Sequence, residues 1–194
     1  MDVSVLLTQK VKLRPTETIV ASLDGQILKE QNGVMKMVSK KSEGFVVDTS
    51  PDSIAYKIVD YVYLGSQDCV ASDVYLHSLN VKNILCVAPQ IPRLYPTQFN
   101  YKNCEILDLP SFDISAAISD CVEFIHNCVI NKSTVVCHCN AGVSRSATIV
   151  IAYLMKHKDM SFTKAYDYVK VIRPCIRPND GFKDYLFYVY SAKW

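Results

Sequence analysis

Cys139 and Arg145 stand six positions apart in the run His138-Cys139-Asn140-Ala141-Gly142-Val143-Ser144-Arg145-Ser146. A thiol is a strong nucleophile once ionised, and a nest of backbone amides at a helix start favours that form. A guanidinium offers a flat fork that matches two oxygens of a tetrahedral phosphate. The five residues between them are small or short and carry no charge, and Gly142 permits a backbone angle that other residues resist. Sulfur beneath a phosphorus atom, with amides and a fork around its oxygens, is the equipment for phosphoryl transfer to sulfur. The Ser146 hydroxyl could support the sulfur as a leaving group. None of the other seven cysteines has an arginine at the same offset. The bland alternative is a structural cysteine at a strand end followed by an exposed arginine.

Such a transfer expels an alcohol or phenol oxygen that needs a proton. Two carboxylates precede the loop. Asp113 lies just before Ser115 and a predicted helix, which suits N-capping. Asp108 ends a predicted strand and enters a loop containing Pro110, from which it could swing over the phosphate. Asp108 is the better placed of the two, and its bland alternative is a solvated loop carboxylate.

The elements that must position these groups follow from pattern. Thr134 to Cys137 is β-branched and apolar, as in a strand buried on both faces. From Arg145 the residues favour helix, and Ala147 to Met155 is apolar on nearly every side, so that helix should be central. A strand feeding a small-residue turn that opens a buried helix is a ready anion site. Further strands are predicted at Ile58 to Leu64, Lys82 to Ala88 and Glu105 to Leu109. Helices are predicted near Ala71 to Leu79, from Ser115 (with Ile118, Val122, Ile125 and Val129 on one face), over Ser161 to Val171 and over Gly181 to Lys193. His77, His126 and His157 fall on or beside these helices and read as surface residues. The alternation predicts an α/β fold, a central mostly parallel mixed sheet flanked by helices, with the loop at the carboxyl end of its strand.

At these residues the sequence resembles the cysteine-dependent protein phosphatases, whose signature is His-Cys, five residues, Arg, then Ser or Thr. HCNAGVSRSA looks like the dual-specificity branch, and the likeness extends over Ile58 to Phe187, including YVYLGS at Tyr61 to Ser66 and RPCIRPNDGF at Arg173 to Phe182. It is similar in particular to the atypical subgroup, which lacks a kinase-docking domain. The resemblance implies the cysteine-phosphatase fold and hydrolysis through a phosphocysteine. It implies catalytic roles for Cys139, Arg145, Asp108 and Ser146. His138, Asn140, Ala141, Gly142, Val143, Ser144 and Arg145 would form the phosphate-binding loop, with His138 bonding backbone to orient it. Arg173 and Arg177 are candidates for a second phosphate or acidic residue of the substrate. Their alternative is a pair of surface arginines bracketing a turn.

The rest of the chain sets bounds. With 194 residues, 49% hydrophobic and 21% charged, it reads as a globular chain of ordinary domain size. Residues 51–194 are expected to form the catalytic domain and 1–50 an N-terminal extension, either a hairpin packed on the domain or a loosely ordered arm. Asp24-Gly25 marks a turn there, and Lys10-Val11-Lys12-Leu13-Arg14 resembles a kinase docking motif. No apolar run approaches the roughly twenty residues that span a bilayer, and no secretory signal is evident. Eight scattered cysteines without such a signal point to free thiols in a cytoplasmic or nuclear setting. No cofactor or metal is expected. Formal charge is +2, with the excess confined to residues 1–43, so a nucleic-acid partner is not expected. Phosphorylated proteins are the expected substrates, a MAP kinase pathway member among the candidates, acting in stress or MAP kinase signalling. The loop carries no lysine of the kind used against polyanionic lipids. Two alternatives stay open: a phosphate-binding pseudophosphatase, and the same chemistry on RNA 5′-phosphates or lipids.

Overall fold

The computed structural model describes residues 17–21, 26–31, 34–40 and 52–193. The chain divides into two units, Met1–Phe45 and Val46–Trp194. The first holds a three-stranded antiparallel sheet, β1 (Glu17–Ala21), β2 (Gln26–Gln31) and β3 (Val34–Lys40), in that spatial order. The described residues of this unit thus form three strands, where the sequence offered a hairpin or a loosely ordered arm. The Asp24-Gly25 turn and the Lys10 to Arg14 run lie outside the described residues.

The second unit is built on a five-stranded sheet. Its strands are β4 (Tyr56–Val59), β5 (Val62–Gly65), β6 (Val81–Cys86), β7 (Asn100–Asn103) and β8 (Thr134–His138), ordered β4-β5-β8-β6-β7. Only the β4–β5 pair is antiparallel; β5, β8, β6 and β7 run parallel. β8 therefore lies in the middle, and all five of its residues are buried. Its side chains alternate between two cores, as a pleated strand requires. Val135 and Cys137 join the larger one with Leu64, Leu85 and the main helices; Val136 joins the smaller one with Ile84, Leu76 and Phe99.

The helices are α1 (Asp73–Ser78), α2 (Ser115–Ile130), α3 (Arg145–His157), α4 (Phe162–Ile172) and the short α5 (Asp180–Asp184). Every residue of α3 from Arg145 to Met155 is buried, so this helix is the spine of the larger core. The chain enters it straight from β8 through the Cys139–Ser144 loop, which places that loop at the carboxyl end of the central strand. No helix among the described residues is long and apolar enough to cross a membrane.

Several boundaries differ from the sequence expectation. Ile58 to Leu64 is not one strand but two, turning at Asp60-Tyr61 with Tyr61 at φ 67°. The turn carries neither glycine nor proline, so the apolar alternation ran through it unmarked. Glu105 to Leu109 is not a strand. Cys104 N–H makes the last bond to the sheet, donating to Cys86 O, and Ile106 then buries its side chain in the core as an anchor for a loop. The edge strand is instead the polar Asn100–Asn103, which pairs on one side only. The C-terminal helix stops at Asp184 and continues as a wider π turn, Tyr185–Tyr190; Tyr190 packs inward but Phe187 and Tyr188 are exposed. His126 and His157 are half-buried and stacked across α2 and α3, ring centroids 3.8 Å apart, rather than solvated.

Candidate active site

The Cys139–Ser144 loop is shaped by its neighbours. Gly142 adopts φ +68°, and a Cβ there would meet Gly65 O at 2.5 Å, so only glycine fits. Asn140 is tied on both sides: its carbonyl accepts from Gln67 N–H at 2.9 Å, and its Oδ1 accepts from Arg145 Nη2 at 2.7 Å. Arg173, 1% exposed, grips the loop from behind. Its Nε donates to Gly142 O at 3.0 Å and its Nη2 to Ala141 O at 2.9 Å, while Nη1 pairs with Asp52. With the Ala141 carbonyl drawn outward, the N–H of the same peptide, that of Gly142, faces the other way, toward the sulfur.

Cys139 Sγ lies at the floor of a cleft of about 460 Å³ lined by Asp108, Pro110, Asn140, Ala141, Val143, Ser144, Arg145, Arg177, Pro178, Asn179 and Asp180. Gly142 N–H donates to Sγ at 3.3 Å, and the Ser146 hydroxyl lies 3.2 Å from it. α3 begins immediately above without a side-chain cap at Ser144, so its first amides have no such partner and its dipole favours an anion there. Arg145 is 3% exposed. Its Nη1 donates to Ile106 O at 3.5 Å, but its buried Nε has no hydrogen-bond partner among the described residues. Opposite that Nε, at 3.7 Å, stands Asp108 Oδ2. Asp108 Oδ1 accepts from Ser144 Oγ at 2.6 Å and from Asn179 Nδ2 at 2.8 Å.

The surrounding cysteines differ chemically. Burial pushes the thiols of Cys69 and Cys86 up to about 12 and about 11, and raises Cys137 as well, so they keep their protons at neutral pH. Burial pushes the His138 imidazole down to about 4, holding it neutral, with Nδ1 3.4 Å from Cys139 O. His138 lies within the sheet and does not line the cleft; it supports the loop from below.

A family model described as the dual specificity phosphatase catalytic domain matches residues 62–192. The chain belongs to the dual-specificity phosphatase family. It is accordingly a protein phosphatase, a hydrolase of phosphorylated proteins. The chain is similar to dual specificity protein phosphatase 19 of Mus musculus, 36% identical over 93% of this chain and 88% of the relative. Among solved structures it is similar to the human tyrosine phosphatase-like serine/threonine/tyrosine-interacting protein, at 31% identity and TM-score 0.65 over 68% of this chain and 92% of that one. Human DUSP28 gives 26% identity and TM-score 0.68 over 71% and 96%.

Cys139, Arg145, Asp108 and Ser146 thus converge, and the loop from Asn140 to Ser144 surrounds them. Asp113 stays outside the cleft, its Oδ1 accepting from Ser115 N–H at 2.9 Å at the start of α2. The expectation for Arg173 needs correction: it is buried against the loop and Asp52, so it cannot reach a substrate. Arg177 is exposed at the cleft rim, its backbone N–H donating to Val143 O. Sequence reasoning missed Asn179. Its place between a proline and a short helix marks it as a cap, which it is, its Oδ1 accepting from Phe182 N–H at 2.9 Å. Nothing local announces that the same side chain touches Asp108.

Proposed function

We propose that this phosphatase hydrolyses phosphotyrosine and phosphoserine or phosphothreonine through a phosphocysteine. Cys139 Sγ attacks phosphorus in line while Arg145 and the loop amides from Asn140 to Arg145 hold the equatorial oxygens. The bond from phosphorus to the leaving oxygen breaks, and Asp108 gives that oxygen its proton. A water then attacks the phosphocysteine, returning a proton to Asp108, and the sulfur departs with the Ser146 hydroxyl at its side. The observation that carries this reading is the buried Arg145 Nε, which has no hydrogen-bond partner among the described residues and stands in the cleft that Cys139 and Asp108 also line. A buried donor left unpaired is costly, and a phosphate oxygen would satisfy it.

Phosphorylated proteins of a MAP kinase or stress pathway are the proposed substrates and a cytoplasmic or nuclear setting the proposed location. Support comes from the docking-like Lys10 to Arg14 run and from a loop without lysines. The test pairs Cys139→Ser with Asp108→Ala on doubly phosphorylated kinase activation-loop peptides and on an RNA 5′-phosphate. Cys139→Ser should abolish turnover with the fold kept. Asp108→Ala should lower kcat far more than it changes KM. Retained turnover in Cys139→Ser, or preference for the RNA, would refute the reading.

A further inference from the structure

Asp108 sits on a loop outside the sheet, yet its carboxylate is fixed from one side by residues of a different segment. Oδ1 accepts from the Ser144 hydroxyl at 2.6 Å and from Asn179 Nδ2 at 2.8 Å, while Oδ2 accepts from neither and faces Arg145 Nε at 3.7 Å. The Asn179 amide cannot turn over without loss. Its Oδ1 is committed to Phe182 N–H at 2.9 Å, so Nδ2 is the end presented to Asp108. Its backbone N–H donates to Ser144 Oγ at 3.1 Å, so Ser144 and Asn179 are locked to each other as well as to the acid. The next turn of chain supports the same loop. A Cβ at Gly181 would stand 1.9 Å from Pro110 O, which shows how closely the start of α5 and the Asp108 loop are pressed together.

We propose that Asn179 is a positioning residue for the proton donor: with Ser144 it occupies Oδ1 of Asp108, so that the proton resides on Oδ2 and is delivered toward the leaving oxygen beside Arg145. This rests on Asp108 being the acid. Two donors fill the lone pairs of Oδ1, and a carboxyl carries its proton on the other oxygen. When P–O cleavage occurs the Oδ2 proton goes to the leaving oxygen, and Oδ1 keeps its two bonds throughout, so the side chain need not reorient. An unclamped carboxylate on a loop would have to find that pose in each turnover.

The test separates this role from capping of α5. Asn179→Ser and Asn179→Asp both retain an oxygen that can cap α5, but neither offers an amide donor to Asp108. Each is measured on a series of aryl phosphates from 4-nitrophenyl, whose phenolate leaves unaided, to phenyl, and on a phosphothreonine peptide, whose leaving oxygens need the proton. The expected result is a kcat lowered about tenfold or more on phenyl phosphate and the peptide, little change on the 4-nitrophenyl ester, and KM altered less than twofold. In an Asp108→Asn background, Asn179→Ser should then add no further loss. Equal losses across all leaving groups, or an additive loss in that background, would overturn the proposal. If Asp108→Asn alone leaves the leaving-group dependence as in the parent, the acid assignment itself is wrong and Asn179 has nothing to position. Gly181→Ala, which presses on Pro110 from the other side, should reproduce the leaving-group signature; a uniform loss from it would count against the clamp.

Discussion

Replacing Gly142 by alanine asks whether the loop's backbone, rather than its side chains, holds the anion. Two costs arise at this position. The left-handed conformation, φ +68°, costs an ordinary residue about 1–2 kcal/mol. The new methyl would also lie 2.5 Å from Gly65 O and 2.8 Å from Arg173 Nη2, whereas comfortable contacts begin near about 3.5 Å. The loop must therefore move by roughly 1 Å, and overpacking of this kind adds about 1–3 kcal/mol. The total is about 2–5 kcal/mol, or a Tm lower by at least about 4 °C for a chain of this size. The displaced peptide, Ala141–Gly142, is the one whose N–H points at Sγ and whose carbonyl accepts from Arg173 Nη2. A misplacement of about 1 Å at reacting atoms costs about a hundredfold in rate. The assay is kcat/KM on 4-nitrophenyl phosphate beside circular dichroism, a thermal melt and a vanadate titration. A hundredfold loss of rate, weaker vanadate inhibition and an intact spectrum are expected. Parent-level turnover in a folded Gly142→Ala protein would refute the idea that these amides need their present placement.

Other outcomes follow from the same geometry. Arg173→Met removes two bonds to loop carbonyls and leaves Asp52 without its partner, so about 3–5 kcal/mol of stability should be lost in a denaturant titration. Arg173→Lys, which keeps the charge but cannot bridge both carbonyls and the carboxylate, should lower kcat at least tenfold with a smaller loss of Tm. The folded chain holds His138 neutral down to about pH 4, while the unfolded chain protonates it near its ordinary 6.5. The unfolded state thus binds more protons between those values. This contribution is complete above pH 6.5, falls by about 1.4 kcal/mol per pH unit below it and is exhausted near pH 4. A flatter Tm-versus-pH curve across that window in His138→Gln would confirm it; an unchanged slope would refute it. Vanadate should inhibit competitively and EDTA should leave kcat unchanged, since the proposed chemistry runs through Cys139, Arg145 and Asp108 alone. Loss of turnover on chelation would count against the cysteine mechanism.

The centre of this fold was legible because its signals are contiguous. β8, the loop and α3 follow one another in the chain, and strand, turn and helix each have a compositional mark. The place of Asp108 at the cleft was legible through its loop setting before the nucleophile, although the strand invoked to carry it is not there. What the sequence hid depends on contacts between distant segments. The apolar Ile106 looked like a strand residue when it is a loop anchor, and Asn100–Asn103 looked like a loop because an edge strand needs no apolar face. Arg173 read as a substrate contact or a surface charge because charged residues are rarely buried unless paired, and its partners, Asp52 and two carbonyls, are far off in sequence. Asn179 has two jobs at once, and only the local one leaves a mark.

The family match opens at Val62, in the second strand of a hairpin whose first strand it leaves out. Yet Asp52 neutralises the guanidinium behind the catalytic loop, Ser66 Oγ donates to Asp52 O, and Ala55 N–H donates to Tyr75 OH. The working enzyme therefore extends upstream by at least ten residues beyond its recognisable signature. A shortened protein trimmed to Val62 would bare the flank of β5 to self-association and strand a positive charge in the interior, and should fail as a catalyst although every signature residue is still in it.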